Sequence, residues 1–178
     1  MDNWAKEMKY LIPAMGIYLI AMISKNSVYM QGHFSSLESV VLHLLSSEIR
    51  MEPVGIQVAS VMFEKFGLYS GPFLHKLLVA IFTSLHFYRN NTKQKFIPVP
   101  IIRAVHTFFA TFMVNHGSAA LLQACNQIQP GILNMILTSE GEAVKHVGGQ
   151  PRDKKYAVVA YSKYMIENIG DVPQQVLQ

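Results

Sequence analysis

Apolar residues recur at intervals of three and four along the segment 100–117, which begins at a proline and ends at a glycine. The set consists of Ile101, Val105, Phe108, Phe109, Phe112 and Met113. This spacing puts an apolar stripe along one face of an α-helix and indicates burial on that side. Proline suits the first helical turn, and glycine readily takes the positive φ that ends a helix. The segment is therefore predicted to be a helix with both ends marked.

The same order of proline, apolar run and glycine occurs in three segments, 53–67, 100–117 and 151–170. Successive prolines lie 47 and 51 residues apart, and successive glycines 50 and 53. Further helical patterns cover 34–46, 71–88 and 118–138, and the first covers 3–24, where Pro13 and Gly16 are expected to kink it. Seven helices in pairs match the period of HEAT and armadillo repeats, roughly 40–47 residues. The sequence predicts an all-α superhelix of HEAT-type repeats, with about three to four helix pairs in a single segment, 1–178.

Pro130 and Gly131 interrupt the last of these patterns. A proline inside a helix costs about 3 kcal/mol and removes a hydrogen bond. We favour one helix bent at Pro130, because a curved stack of helices can absorb a kink. The alternative is two short helices that meet at a Gln129-Pro130-Gly131 corner.

Charge and cysteine content narrow the classes of function. Fifteen Lys and Arg against eleven Asp and Glu leave a net charge of +4, with no basic run longer than Lys154-Lys155. That distribution is too diffuse to indicate a nucleic-acid partner. The single cysteine, Cys125, excludes an intrachain disulfide, and its apolar surroundings predict a buried, inert thiol.

The hydropathy of residues 10–23 raises the alternative of a membrane protein. This uncharged run has 14 residues, and a helix needs roughly 20 to cross a bilayer. Buried core helices are therefore the preferred interpretation, and a small all-helical membrane-associated protein is the alternative.

Seven histidines prompt a search for a metal or acid–base site. They are His33, His43, His75, His86, His106, His116 and His146, and no two lie three or four residues apart. No phosphate-binding loop or nucleophile elbow is present, and His116 and Ser118 are interpreted as a helix end and turn. We expect no metal, no cofactor and no enzyme activity. Residues 139–155 are expected to form a solvated loop, with a partner-binding loop as the alternative.

The stretch "FMVNHGSAALLQACNQIQPGILNMIL", residues 112–137, resembles the C-terminal region of the CAS-type exportins, which belong to the karyopherin-β superfamily. The similar features are the His116-Gly117 turn, the Ala-Leu pattern at 119–122 and the tripeptide Ile128-Gln129-Pro130. "DKKYAVVAYSKYMIE", 153–167, resembles the next helix of that family. Residues 117–164 carry the specific part of the resemblance, and "YLIPAMGIYL" and "KLLVAIFTSLHFYRNNTKQKFI" are similar in layout. The loop 140–152 departs from the family in its high glycine content.

The resemblance implies a HEAT-repeat scaffold segment of a receptor that carries importin-α out of the nucleus with RanGTP, in the nucleus and the cytoplasm. It further implies a fragment of the last third of the receptor, without the Ran-binding N-terminal repeats, that self-associates through its cut ends. An unrelated HEAT or armadillo scaffold is the alternative. No nucleic-acid or membrane partner is expected. The candidate partner-binding residues are Lys76, Arg89, Lys93, Lys95, Arg152, Lys154 and Lys155. Alternatively, these are ordinary solubilising charges.

Overall fold

The computed structural model describes residues 2–46, 51–67, 71–91, 97–139 and 151–168. Within these ranges the chain forms nine α-helices and no strand. The helices are α1 (Asp2–Lys25), α2 (Ser27–Gln31), α3 (Phe34–Leu44), α4 (Glu52–Phe66), α5 (Gly71–Asn91), α6 (Val99–His116), α7 (Ser118–Ile128), α8 (Ile132–Ser139) and α9 (Pro151–Glu167). The prediction of an all-α fold is confirmed.

The helices stack in two rows. In the first row α1 packs on α4, α4 on α6 and α6 on α9, while α3, α5 and α7 follow one another in the second row. The Phe63 ring near the end of α4 lies 5.6 Å from the Phe108 ring and 5.3 Å from the Phe112 ring, between centroids. Because Phe108 and Phe112 belong to the second half of α6, α4 and α6 run parallel. Such stacking, in which each helix contacts only its neighbours, is typical of helical repeats.

Helix α5 returns antiparallel to α4. Near one end of the pair, the rings of Phe63 and Phe73 stack with centroids 5.9 Å apart. At the other end, the buried Glu52 carboxylate accepts hydrogen bonds from the Ser84 hydroxyl at 2.9 Å and the Tyr88 hydroxyl at 3.3 Å. These bonds satisfy a carboxylate that would otherwise be costly to bury.

Helix ends follow the predicted proline and glycine positions. Pro53 and Pro100 lie in the first turns of α4 and α6. Gly67 and Gly117 directly follow these two helices with φ of 57° and 89°, a range in which other residues are strained. The third segment begins at Pro151 as predicted, and its helix ends at Glu167. Gly170 lies outside the described residues.

The interpretation of residues 118–138 as one bent helix is wrong, and the alternative of two short helices is correct. Helix α7 ends at Ile128, Gln129 is extended at φ −153° and ψ 120°, and Gly131 has a φ of 76°. The Asn126 side-chain oxygen accepts the Gly131 N–H at 3.0 Å. Pro130 would clash with the carbonyl four residues earlier in a helix, whereas Gly131 takes a positive φ without strain. A clean break therefore replaces the bend.

Two further features of the first half differ from the expectation. Helix α1 runs without interruption through Pro13. Its Gly16 lies against α4, where an added Cβ would come within 2.3 Å of Val54 Cγ1. The glycine therefore allows α1 and α4 to approach closely. The five-residue α2 was not predicted, because it is too short to show a helical period.

The predicted apolar stripe of α6 lies in the core. Phe108 is 0% exposed and Phe112 is 4% exposed. Phe63 packs between them and Phe73 of α5. The core thus extends continuously from the first row to the second, and the predicted burial of the stripe is confirmed.

Candidate functional site

Two of the candidate basic residues, Lys76 and Arg89, lie on α5. Lys76 is exposed, and its Nζ lies 2.7 Å from the Glu38 carboxylate on α3. Such a surface ion pair contributes about 0–1 kcal/mol. Arg89 is half-buried and follows thirteen residues later, which is about 20 Å along the helix axis and on a different face. The two cations therefore do not form one patch.

The other described candidates, Lys154 and Lys155, are exposed on α9. The expectation of a solvated loop over 139–155 is wrong at these two residues, because α9 begins at Pro151. Arg152 is also part of α9, but its side chain lies outside the described part. Lys93 and Lys95 lie outside the described residues altogether. Since α9 belongs to the first row and α5 to the second, the described candidate residues do not form one basic surface.

Arg89 lines a groove of about 310 Å³ between α5 and the corner that joins α7 to α8. Sequence reasoning identified Arg89 but missed the apolar residues across the groove, among them Met135. The Pro130-Gly131 interruption was the available signal, because a break between two helices can leave a cleft beside a neighbouring helix.

The segment around His116 and Ser118 joins three elements. The His116 ring Nε2 lies 2.8 Å from the Phe63 carbonyl oxygen of α4 and donates to it. The buried Ser118 hydroxyl, at the start of α7, donates to the Glu167 carboxylate at the end of α9. Lys163 also approaches this carboxylate, with its Nζ 3.7 Å away. The interpretation of His116 and Ser118 as a helix end and turn is confirmed.

A buried histidine and tyrosine connect α6 to α9. His106 is 0% exposed, and its Nδ1 lies 2.9 Å from the Tyr161 hydroxyl oxygen. That hydroxyl is also 3.3 Å from the His106 carbonyl oxygen. Because the hydroxyl has one proton, donating it to the carbonyl requires Nδ1 to donate to the hydroxyl oxygen. Nε2 is then an unprotonated acceptor, and it has no hydrogen-bond partner among the described residues.

Burial keeps this pair neutral. It lowers the pKa of His106 from 6.5 to about 4 and raises the pKa of Tyr161 above its ordinary value. At neutral pH the imidazole is therefore uncharged and enclosed. Its hydrogen bond with Tyr161 holds α9 against α6.

Other chemistry-bearing side chains are also enclosed. Cys125 is fully buried, and burial raises the pKa of its thiol to about 12. The predicted burial of the thiol is confirmed, and the raised pKa disfavours the thiolate, which is the nucleophilic form. Across the described ranges no cluster of three or more His, Cys, Asp or Glu side chains could hold a metal ion.

Among the described residues, no helix combines the length and the apolar character needed for crossing a membrane.

Comparison with protein-family models matches residues 3–175 to the family described as CAS/CSE protein, C-terminus. No curated protein and no solved structure matches the chain. The family match includes the specific stretch 117–164 and extends over the N-terminal half, where the similarity in the sequence is looser.

Proposed function

The chain belongs to the CAS/CSE family of exportins, and from this premise we propose that it is a scaffold segment of a receptor that carries importin-α out of the nucleus with RanGTP. Exportins are nuclear transport receptors that move between nucleus and cytoplasm. The receptor is therefore proposed to act in both the nucleus and the cytoplasm.

The stack of first-row helices, in which α4 and α6 run parallel, is the observation that supports a scaffold most directly. Helical repeats bind their partners over extended surfaces, so affinity comes from area and shape rather than from a reactive centre. The burial of reactive side chains in this chain agrees with such a function. Cys125 and His106, two reactive residue types, lie inside the core.

Exposed apolar residues at both ends of the first row support the proposal of a longer stack. On α1, Leu11 and Tyr18 are 54% and 67% exposed, on the side opposite Gly16, which packs on α4. On α9, Val159 and Ile166 are 57% and 74% exposed. Exposed apolar side chains grouped at the end of a helical stack are ordinarily covered by a further element. We propose that residues 1–178 are one segment of a longer solenoid whose further repeats cover these faces.

The candidate basic residues are proposed as separate contacts at the edge of a larger interface. Lys154 and Lys155 are the clearest described pair, because both are exposed and adjacent on α9. Charges at the rim of an interface act mainly on the association rate and its salt dependence. Replacing both by glutamate in the receptor should slow association with an acidic partner. Each of the two single replacements is also compared with Arg103→Glu, an exposed charge reversal of the same size on α6.

The proposed function is tested with the full-length receptor that contains this segment. Immobilised receptor is incubated with importin-α and with Ran loaded with either GTP or GDP. We expect retention of importin-α with RanGTP and little retention with RanGDP. Retention that is independent of the nucleotide, or no retention in either case, would contradict the assignment as an importin-α exporter.

The same proteins test whether the segment acts alone. In a titration, residues 1–178 should bind RanGTP weakly or undetectably, because the affinity of a wrapping receptor is spread over many repeats. A submicromolar dissociation constant for RanGTP would instead identify the segment as a complete binding module.

A further inference from the structure

The outward face of α9 combines exposed apolar side chains with exposed lysines. Six residues make up this face: Val158, Val159, Ile166, Lys154, Lys155 and Lys163. The three apolar residues are between 57% and 74% exposed. On the opposite side of the helix, Ala157, Ala160 and Tyr164 are buried in the core. The outward face is therefore both apolar and basic.

Helical spacing places lysines among the apolar side chains of this face. Lys155, Val159, Ser162 and Ile166 follow one another at intervals of four, three and four residues, so they form one line along α9. Lys163 lies four residues after Val159 and three before Ile166, which puts it beside both. An element that covers the apolar side chains must therefore also approach the ammonium groups.

The positive charge of this face is not balanced within α9. Glu167 is the one acid among the described side chains of the helix, and its carboxylate already accepts the Ser118 hydroxyl. The Lys163 Nζ lies 3.7 Å from that carboxylate. Lys154 and Lys155 form no ion pair with any described residue. The outward face thus keeps a positive charge that a covering element would meet.

The contacts between first-row helices inside the chain are of a different kind. Helix α4 meets α6 through the rings of Phe63 and Phe108, and α6 meets α9 through the neutral pair of His106 and Tyr161. A further helix with such an uncharged surface would remove water from Lys155 without supplying a counter-charge, which is costly. A helix with carboxylates beside its apolar side chains avoids that cost.

We infer that the element covering the outward face of α9 is an acidic amphipathic helix, whose apolar side chains pack on Val159 and Ile166 and whose carboxylates pair with Lys155. It belongs to the next repeat of the longer solenoid proposed above, and the inference rests on that proposal. The face lies opposite the side of α9 that packs on α6, so a further first-row helix would meet it. Opposite charges across the contact would also fix its register and disfavour wrong partners.

A second copy of the chain fits this face less well. The other end of the first row is α1, whose residues 11–25 contain a single charged residue, Lys25, and no acid. Pairing α9 with α9 of another copy would bring lysines opposite lysines, which is repulsive. Charge complementarity therefore favours an acidic helix over both arrangements.

The test is a fluorescence-anisotropy titration of residues 1–178 with three labelled amphipathic peptides. All three have leucines on one face, and they differ only at the positions beside the leucines, which are glutamate, glutamine or lysine. We expect saturable binding of the glutamate peptide, binding of the glutamine peptide that is about tenfold weaker, and none of the lysine peptide. Raising the salt concentration from about 0.05 M to about 0.5 M should weaken binding of the glutamate peptide.

Variants of α9 locate the binding face. Lys155→Glu and Val159→Asp should each raise the dissociation constant of the glutamate peptide about tenfold or more, since one reverses the charge and the other replaces an apolar contact. Lys155→Glu should also gain affinity for the lysine peptide. General damage to the fold would not produce such a gain, so this reversal identifies a direct charge contact.

Matched control variants carry the same changes elsewhere on the surface. Arg103→Glu reverses an exposed charge on α6, and Val79→Asp places a carboxylate on α5 at a residue that is 40% exposed. Both should leave the dissociation constant within about twofold of wild type, and circular dichroism should show equal helix content for all four variants.

Four results would overturn the inference. They are no saturable binding of the glutamate peptide, equal binding of the glutamate and glutamine peptides, peptide affinity that the α9 variants leave unchanged, and a loss of affinity in the controls as large as in the α9 variants. If no peptide binds but the chain sediments with phosphatidylserine vesicles and Lys155→Glu abolishes this, the face belongs to an anionic membrane surface instead. The nucleotide-dependent retention of importin-α by the full-length receptor is measured separately, so the two proposals fail separately.

Discussion

Replacing Phe108 by alanine is expected to destabilise the fold by about 3–5 kcal/mol, the range for a large aromatic residue removed from a core. Phe108 is 0% exposed, so the substitution removes a whole ring from the region between α4 and α6. Its ring also contacts three others, those of Phe63, Phe109 and Phe112, with centroids 5.6, 5.9 and 6.1 Å away. Each such pair adds about 0.5–1.5 kcal/mol beyond its buried area. The upper half of the range is therefore expected.

The loss is measured by urea denaturation followed through the helical circular dichroism signal. Thermal unfolding should show a midpoint lowered by about 6–20 °C, given about 2–4 °C per kcal/mol for a chain of this length. Val114→Ala, on the same helix at a residue that is 38% exposed, should change the free energy of unfolding by less than about 0.5 kcal/mol. If Phe108→Ala costs under about 1 kcal/mol, the packing of α6 between its neighbours is refuted.

Three further predictions concern other parts of the molecule. The pKa of His106 falls from 6.5 to about 4 in the folded chain, so its contribution to stability is complete above pH 6.5 and is lost as the pH falls towards 4. The loss of stability over this pH range should amount to about 3 kcal/mol. In denaturation measured at several pH values, His106→Gln should lack this loss between pH 6.5 and 4. The same pH profile in the variant and the wild type would refute the buried neutral ring. Gly131→Ala should cost about 1–2 kcal/mol through its positive φ alone, because an added Cβ meets no atom within 4 Å. Gly71→Ala, equally open but without a positive φ, should be neutral or stabilising in the same assay, and equal effects of both would contradict the corner geometry. Tyr18→Glu, at an α1 residue that is 67% exposed, should reduce self-association measured by sedimentation at high protein concentration. Unchanged self-association would show that this exposed face of α1 takes no part in it.

The sequence predicts where the helices end, but it does not predict which distant residues they contact. Proline at 53, 100 and 151 and glycine at 67 and 117 mark helix ends correctly, because each acts through its own backbone conformation. The spacing of Phe108 and Phe112 likewise predicts burial, since residues four apart necessarily share one face of a helix. Cys125 is buried for a similar local reason, as part of an apolar stripe. The family resemblance on residues 117–164 rests on the same stretch of sequence and is confirmed by the match over 3–175.

Interactions between distant parts of the chain were decided by the tertiary structure. The sequence left both a bend and a corner open at Pro130, because the two differ by a few kcal/mol and the choice depends on how α7 and α8 pack. His106 and Tyr161 are 55 residues apart in the chain and form one buried contact. Met135 and Arg89 enter one groove only because α5 lies beside the corner. A single sequence carries the preferences of each residue but not its distant partners, so helix boundaries could be derived from it, whereas the groove and the separation of the basic residues could not.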